Sequence, residues 1–209
     1  RLSAANNMVY LRIENNSVLD TVNLAPSKPY LTKWPNTIEV KDSRMVSYVA
    51  SFMYDSKRKP KRLIFSNLRS TPPYDYIHVN NPDVNYYVNG GDIDFRINDS
   101  MLGDCDSIVL SNIKTLVLAG NSDVMKNVSI PYVALSDSFS VRSGNARISE
   151  ANITNWTNPT QESFDALMAS VGGTLTINGI ATVATPLKWT TAKMGTLNII
   201  NSANDILMG

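Results

Sequence analysis

The segment Thr174–Gly179 (TLTING) returns with small changes as Thr196–Asn201 (TLNIIN). The two copies start 22 residues apart, and each follows a glycine, Gly173 or Gly195. Both alternate apolar and polar residues, which is typical of a β-strand that turns every second side chain into a core. Their spacing indicates a structural repeat.

A template taken from these copies fits seven earlier segments. It consists of two apolar residues two positions apart, followed two positions later by Asn, Asp or Gly. The matches are Leu11/Ile13/Asn15, Ile38/Val40/Asp42, Leu63/Phe65/Asn67, Tyr86/Val88/Gly90, Ile108/Leu110/Asn112, Val133/Leu135/Asp137 and Ala151/Ile153/Asn155. Successive copies start 18 to 27 residues apart. The pairs Leu116/Leu118 and Phe139/Val141 have the same apolar spacing and compete with these segments as template strands.

The template has a physical reason. One strand cannot bury its apolar side alone, but stacked strands share a continuous core. Asn suits the corner after a strand because it tolerates left-handed backbone and bonds the local backbone. The chain contains 23 Asn, which fits a protein with many such corners. We therefore predict a solenoid.

Two segments show the apolar spacing of a helix, Ser43–Tyr54 and Ser163–Val171. Each leads into a template strand, so we predict a strand-rich α/β solenoid with short helices between some strands. Between Gly103 and Asn155 short strands follow one another without a helix. An all-β fold, either a β-helix or a sandwich, is therefore the alternative.

The beginning of the chain has a different pattern. Val9–Ile13 and Val18–Leu24 are predicted to form a hairpin, and Pro26–Pro35 follows. We predict that residues 1–37 form a capping or docking segment and residues 38–209 the repeat solenoid.

Composition limits the partners. The 19 basic and 18 acidic residues give a net charge of +1, which disfavours binding to nucleic acid or to anionic membranes. Apolar runs are too short for membrane insertion. The single cysteine, Cys105, cannot form an intramolecular disulfide or a thiolate metal site.

Candidate binding residues are aromatic. They are Tyr74, Tyr76, Tyr86, Tyr87, Trp156 and Trp189, which are suited to anchoring a protein partner or stacking on sugars. No metal is expected, although Asp92 and Asp94 come closest to a calcium-binding pattern. The sole histidine, His78, has no nucleophile near it in sequence, so we predict no catalytic residue and no cofactor. The basic run Lys57–Arg62 is predicted to be a solvated helix end.

The repeats resemble the leucine-rich repeat family, in an irregular variant of bacterial and phage surface proteins. The resemblance covers Ile38 to Asn201 and is carried by Leu175–Gly179 and Leu197–Asn201, while the upstream leucines of a regular repeat are mostly missing. It implies a non-enzymatic structural or adhesion protein, which we expect in a phage virion (fibre, decoration or tail-associated) or at a cell surface. The expected partners are other protein subunits, further copies of the chain and surface glycans. The alternative is a carbohydrate-active β-solenoid enzyme that uses the aspartates between Asp92 and Asp106, or a carbohydrate-binding module.

Overall fold

The computed structural model describes residues 10–15, 22–23, 36–45, 48–49, 61–70, 76–79, 85–91, 94–97, 107–118, 129–144, 146–189, 194–202 and 207–208. In these residues the chain winds into successive coils of parallel strands. The elements in chain order are β1 (Tyr10–Glu14), β2 (Val22–Asn23), β3 (Thr37–Lys41), β4 (Arg44–Met45), β5 (Tyr48–Val49), β6 (Arg62–Ser70), β7 (Tyr76–Val79), β8 (Asn85–Gly91), β9 (Asp94–Ile97), β10 (Ile108–Ser111), β11 (Thr115–Val117), β12 (Ser129–Ser136), β13 (Ser140–Arg142), β14 (Arg147–Trp156), α1 (Gln161–Ser170), β15 (Val171–Ile180), β16 (Lys188–Trp189), β17 (Thr196–Ser202) and β18 (Leu207–Met208).

A long parallel sheet forms one side of the coils. Its strand order is β1-β3-β6-β8-β10-β12-β14-β15-β17, and β4 pairs with the end of β6. Leu175 lies opposite Leu197, and Ile177 lies opposite Ile199. The same register runs back through every template segment to Leu11. The predicted solenoid and its template are confirmed.

Two inward rows of this sheet make the core. From Ile38 to Ile177, the template residues of both rows have relative exposures between 0% and 3%. The buried residues of both rows belong to one hydrophobic cluster, because adjacent strands lie about 4.8 Å apart. The core is therefore shared along the stack, as the template requires.

The corner residue of every template segment has a positive φ. The seven Asn and Asp corners lie between 47° and 65°, and Gly90 and Gly179 lie at 72° and 82°. This left-handed conformation is costly for most residues but tolerated by Asn, Asp and Gly. The ladder continues past the corner, because Asp42 N donates to Ser66 O (3.0 Å) and Asp137 N donates to Thr154 O (3.1 Å).

A shorter parallel sheet closes the opposite side of the coils. Its order is β13-β11-β9-β7. Phe95, Leu116 and Val141 are aligned in register and buried. The pairs Leu116/Leu118 and Phe139/Val141, which competed with the template, therefore belong to the other side of the same coils.

Helix α1 covers the β13 edge of the shorter sheet. Ser163 Oγ accepts a hydrogen bond from Val141 N (3.0 Å), and Asn158 Oδ1 accepts one from Phe139 N (2.9 Å). The helix begins after the N-cap Thr160, and Phe164, Leu167 and Met168 are buried. The predicted helix at Ser163–Val171 is confirmed, starting two residues earlier than expected.

The helix predicted at Ser43–Tyr54 is wrong in its described residues. Arg44–Met45 and Tyr48–Val49 are strands that pair with neighbouring coils, while residues 46–47 and 50–54 lie outside the described residues. The apolar spacing fits a helix, but the adjacent coils offer the backbone strand partners, and tertiary context overrides the local preference. In the described residues α1 is the one helix. The fold is thus a strand-rich parallel solenoid that fits the all-β alternative, and the α/β description is not confirmed.

The predicted N-terminal hairpin is also wrong in its described strands. β1 pairs in parallel with β3, and β2 pairs in parallel with β5. In a solenoid, consecutive strands lie on different sides of a coil and pair with the next coil instead of with each other. The division between residues 1–37 and 38–209 remains a prediction.

Candidate binding face

The long sheet turns three rows of side chains away from the core, and we call these rows the outer face. The first row is Tyr10, Thr37, Arg62, Asn85, Ser107, Tyr132, Glu150, Thr174 and Thr196. The middle row is Arg12, Glu39, Ile64, Tyr87, Val109, Ala134, Asn152, Thr176 and Asn198. The third row is Glu14, Lys41, Ser66, Asn89, Ser111, Ser136, Thr154, Asn178 and Ile200. These residues alternate with the buried rows because successive side chains of a strand point to opposite sides.

The outer-face residues of β1, β3 and β6 form a charged end. Arg12 contacts Glu14 at 2.8 Å and Glu39 at 3.4 Å. Tyr10 OH donates to the Glu39 carboxylate, and this hydrogen bond to a negative group raises the pKa of Tyr10 above its ordinary value. The Arg12 and Glu14 side chains are more than 40% exposed, so such ion pairs contribute less than about 1 kcal/mol.

The outer-face residues from β8 to β17 form a neutral end. In its three rows Glu150 is the one charged residue, and Asn, Ser and Thr dominate. Hydrogen bonds join neighbouring coils across this surface. Ser111 Oγ donates to Asn89 Oδ1 (2.9 Å), and Asn198 Nδ2 donates to Thr176 Oγ1 (3.3 Å). The polar groups are therefore held in place by the sheet beneath and by one another.

Two tyrosines flank small side chains near the middle of the outer face. Tyr87, Val109 and Ala134 are successive residues of the middle row, and Tyr132 lies in the first row of the same strand as Ala134. All four side chains are partly exposed. We call these four residues the tyrosine group.

Contacts fix both tyrosine side chains. The Arg62 guanidinium lies 4.7 Å from the centre of the Tyr87 ring, which is a cation–π contact. Tyr132 OH accepts a hydrogen bond from Asn152 Nδ2 at 3.3 Å. The tyrosine group therefore presents aromatic rings that are held before any ligand arrives.

The structure separates the aromatic residues predicted from the sequence. Tyr86 and Trp156 are fully buried. The Tyr86 ring meets Phe95 edge-on at 5.7 Å, and Trp156 stacks on Phe139 at 4.9 Å. Both pack within the core and are not accessible to a ligand.

The other aromatic candidates lie elsewhere. Tyr87 is on the outer face. Trp189 is partly buried in β16 and packs against the core. Tyr76 is the first residue of β7, and Tyr74 lies outside the described residues. Of the four candidates whose side chains the structure describes, Tyr87 alone lies on the outer face.

Sequence reasoning missed Tyr132, Val109 and Ala134. The signal was present, because Val109 and Ala134 have the same position relative to the template as Tyr87, and Tyr132 has the position of Asn85, two residues before Tyr87. The template assigns adjacent residues Tyr86 and Tyr87 to opposite sides of the sheet. Grouping the aromatics by sequence proximity, as the prediction did, ignored that alternation.

The acidic candidates do not form a described cluster. Asp94 is the first residue of β9, where it lies opposite Thr115, and it is buried at 5% exposure. Asp92 and residues 98–106 lie outside the described residues. Among the described residues, no group of three His, Cys, Asp or Glu is placed to hold a metal ion.

The basic run falls only partly within the structure. Residues 57–60 lie outside the described residues, whereas Lys61 is exposed and Arg62 opens β6. Arg62 is therefore a strand residue of the outer face and not a helix end. His78 lies in β7 opposite Arg96.

A separate pocket of about 490 Å³ lies between the start of α1 and the segment 183–188. The Gln161 amide fastens this segment to the helix. Its Nε2 donates to Lys188 O and to Asp165 Oδ1, and its Oε1 accepts from Lys188 N, each at 2.7 Å. Because these bonds occupy the amide, its role here is structural.

Comparison with known proteins adds no relative. No family model, no curated protein and no solved structure matches the chain. Within the part of the chain that is described, no helix has the length and apolar character needed to cross a membrane.

Proposed function

We propose that the protein is a non-enzymatic adhesion or structural module of a larger assembly, and that it binds its partner through the neutral end of the outer face. The observation that supports this proposal is the unbroken register of the long sheet. It holds three outward rows in fixed positions over nine successive strands.

The mechanism we propose is presentation of a rigid surface. Each strand is hydrogen-bonded to its neighbours and backed by the shared core, so the side chains of the outer face need little further ordering when a partner binds. Pre-organisation of this kind reduces the entropy cost of association. A regular surface made of repeating coils is also the way in which other solenoids bind extended partners.

The assembly that we propose is a virion or a cell surface, with other protein subunits or further copies of the chain as neighbours. Two features support this choice, namely the Asn-, Ser- and Thr-rich outer face and the resemblance of the repeats to irregular leucine-rich repeats of bacterial and phage surface proteins. Immunogold labelling of the source material with an antibody against this chain should mark particles or cell envelopes. Labelling confined to the cell interior would contradict this location.

The binding function can be tested with one pair of matched substitutions. Ala134→Arg places a large charged side chain in the middle row of the neutral end, whereas Ala169→Arg places the same side chain on an exposed position of α1. We expect fluorescently labelled wild type to bind saturably to particles or cells of the source, and we expect Ala134→Arg to lose this binding. Ala169→Arg should bind like wild type.

Circular dichroism melting curves separate binding from folding in this experiment. Both alanines are at least partly exposed, so both variants should melt close to wild type. The proposal fails if a folded Ala134→Arg protein still binds, or if wild type shows no saturable binding.

A further inference from the structure

We infer that the tyrosine group recognises an uncharged polysaccharide, with sugar rings placed against Tyr87 and Tyr132 above Val109 and Ala134. The inference rests on the proposed function, since it names the ligand class of the same face. It is argued from the aromatic spacing, the single charged residue in the neutral-end rows and the polar groups around the tyrosines.

The first argument is the geometry of the two tyrosines. Tyr87 and Tyr132 are two strands apart and in neighbouring rows, so strand spacing and rise place their Cα atoms about 12 Å apart. Val109 lies between Tyr87 and Ala134 in the middle row, Ala134 lies beside Tyr132 in the same strand, and both are smaller than tyrosine. The apolar C–H faces of sugar rings stack well on aromatic side chains, and Tyr87 would offer such a ring the face that Arg62 does not cover.

The second argument is charge. In the three rows from β8 to β17, Glu150 is the one ionisable acid or base apart from the two tyrosines. A nucleic acid or a sulfated glycan requires Lys and Arg side chains to neutralise its anions, and the neutral end has neither in these rows. The tyrosine group itself has one cation beside it, Arg62 on the Tyr87 ring, and one carboxylate, Glu150 opposite Tyr132. These two opposite charges give no net attraction for a polyanion.

The third argument is the supply of hydrogen-bonding groups. Asn85, Ser107 and Asn152 surround the tyrosine group, and Ser111 and Ser136 lie in the third row beside it. Amide and hydroxyl side chains can both donate and accept, which suits the hydroxyl groups of a sugar. A protein interface, in contrast, usually has a larger apolar centre surrounded by a polar rim.

The fourth argument concerns length. Beyond the tyrosine group, Asn152, Thr176 and Asn198 continue the middle row in steps of about 4.8 Å. A polymer lying along the solenoid axis would meet a similar polar group at each coil. The face therefore fits a chain of sugars better than a single monosaccharide.

The test is affinity electrophoresis of the purified chain in gels that contain one polysaccharide at a time. The neutral probes are a β-glucan, a mannan and a xyloglucan, and the acidic probes are polygalacturonate and alginate. We expect at least one neutral probe and neither acidic probe to retard the protein. Tyr87→Ala and Tyr132→Ala should each weaken that retardation about tenfold, while Tyr87→Phe should keep most of it.

Tyr10→Ala is the matched control, because Tyr10 lies on the same outer face at its charged end and is 49% exposed. Its retardation should equal that of wild type. Equal losses for Tyr10→Ala and Tyr87→Ala, retardation by the acidic probes, or no retardation by any neutral probe would each overturn the inference.

The two proposals fail in different ways. If Ala134→Arg abolishes attachment to the source material while no neutral probe retards wild type, the neutral end binds a partner other than an uncharged polysaccharide and only the further inference falls. If wild type neither attaches nor is retarded, both proposals fall.

Discussion

The two sides of the coils are built differently. The long sheet repeats one backbone plan from β1 to β17, with a left-handed corner after each pair of template residues. The opposite side changes along the stack. It begins with the short pair β2 and β5, continues as the four-stranded sheet from β7 to β13 and then as α1, and ends with the short pair β16 and β18.

The difference shows what each side requires of the sequence. An inner strand of the long sheet pairs with an equivalent strand on each side, so its inward residues and its corner must follow the same template in every coil. On the opposite side, side chains take over where strand pairing stops, as Ser163 and Asn158 do at the edge of β13. A solenoid can thus repeat one residue template along one side while the secondary structure of the other side changes, provided that buried backbone groups remain hydrogen-bonded.

We expect the largest effect on stability at the junction between α1 and β15, where the variable side meets the long sheet. There Gly172 and Gly173 lie opposite the single residue Ser149, which makes a β-bulge in the long sheet. A Cβ on Gly173 would lie 2.4 Å from Ser149 O, whereas a Cβ on Gly172 would meet nothing within 4 Å. We expect Gly173→Ala to lower the free energy of unfolding by about 3 kcal/mol, and Gly172→Ala to change it by less than about 1 kcal/mol.

Urea denaturation followed by circular dichroism would measure both variants. Equal stabilities of the two variants would mean that the backbone at the bulge shifts to make room for the added Cβ. The contrast between a strict long sheet and an adaptable opposite side would then not hold at this junction.

A smaller effect is expected at the edge of β13. Ser163→Ala removes the hydroxyl that accepts the hydrogen bond from Val141 N in the buried contact between α1 and β13. Because this leaves a buried N–H without an acceptor, we expect the free energy of unfolding to fall by about 2 kcal/mol. Ser138→Ala, at an exposed position just before β13, should cost less than about 0.5 kcal/mol.

Hydrogen exchange of the Val141 amide would measure the loss of the hydrogen bond to Ser163 directly. The amide should exchange faster in Ser163→Ala than in wild type, and its rate should not change in Ser138→Ala. An unchanged rate in Ser163→Ala would show that the helix covers the strand by packing alone.

The smallest effect is expected at a corner of the long sheet. Asn112 has a φ of 48°, a conformation that is especially unfavourable for a β-branched residue. Asn112→Val should therefore cost about 1 kcal/mol or slightly more in thermal or urea unfolding, while Asn112→Gly should remain close to wild type. If the two variants are equally stable, the corners do not depend on left-handed backbone.

Much of the long sheet could be predicted from the sequence because its rule is local and repeated. Alternation identifies the inward residues, and Asn, Asp or Gly at a fixed offset marks the corner, so all nine template segments could be aligned without coordinates. Helix α1 could be predicted as well, since Phe164, Leu167 and Met168 share one side and Thr160 caps it.

The opposite side and the binding face could not be predicted in the same way. The segment beginning at Ser43 has helical spacing, but its described residues pair as strands, because adjacent coils offer them backbone partners. Tyr86 and Tyr87 are neighbours in sequence, yet one packs in the core and the other lies on the outer face.

The sequence by itself therefore determined the repeat, its inward rows and its corners, since each depends on residue type and short spacing. Only the tertiary structure decided which distant residues share the outer face, because strand register between coils, and not proximity in the chain, places Tyr87 and Tyr132 on the same surface. It also decided how the variable side is closed, since a strand, a helix or a side chain can each satisfy the same buried backbone groups.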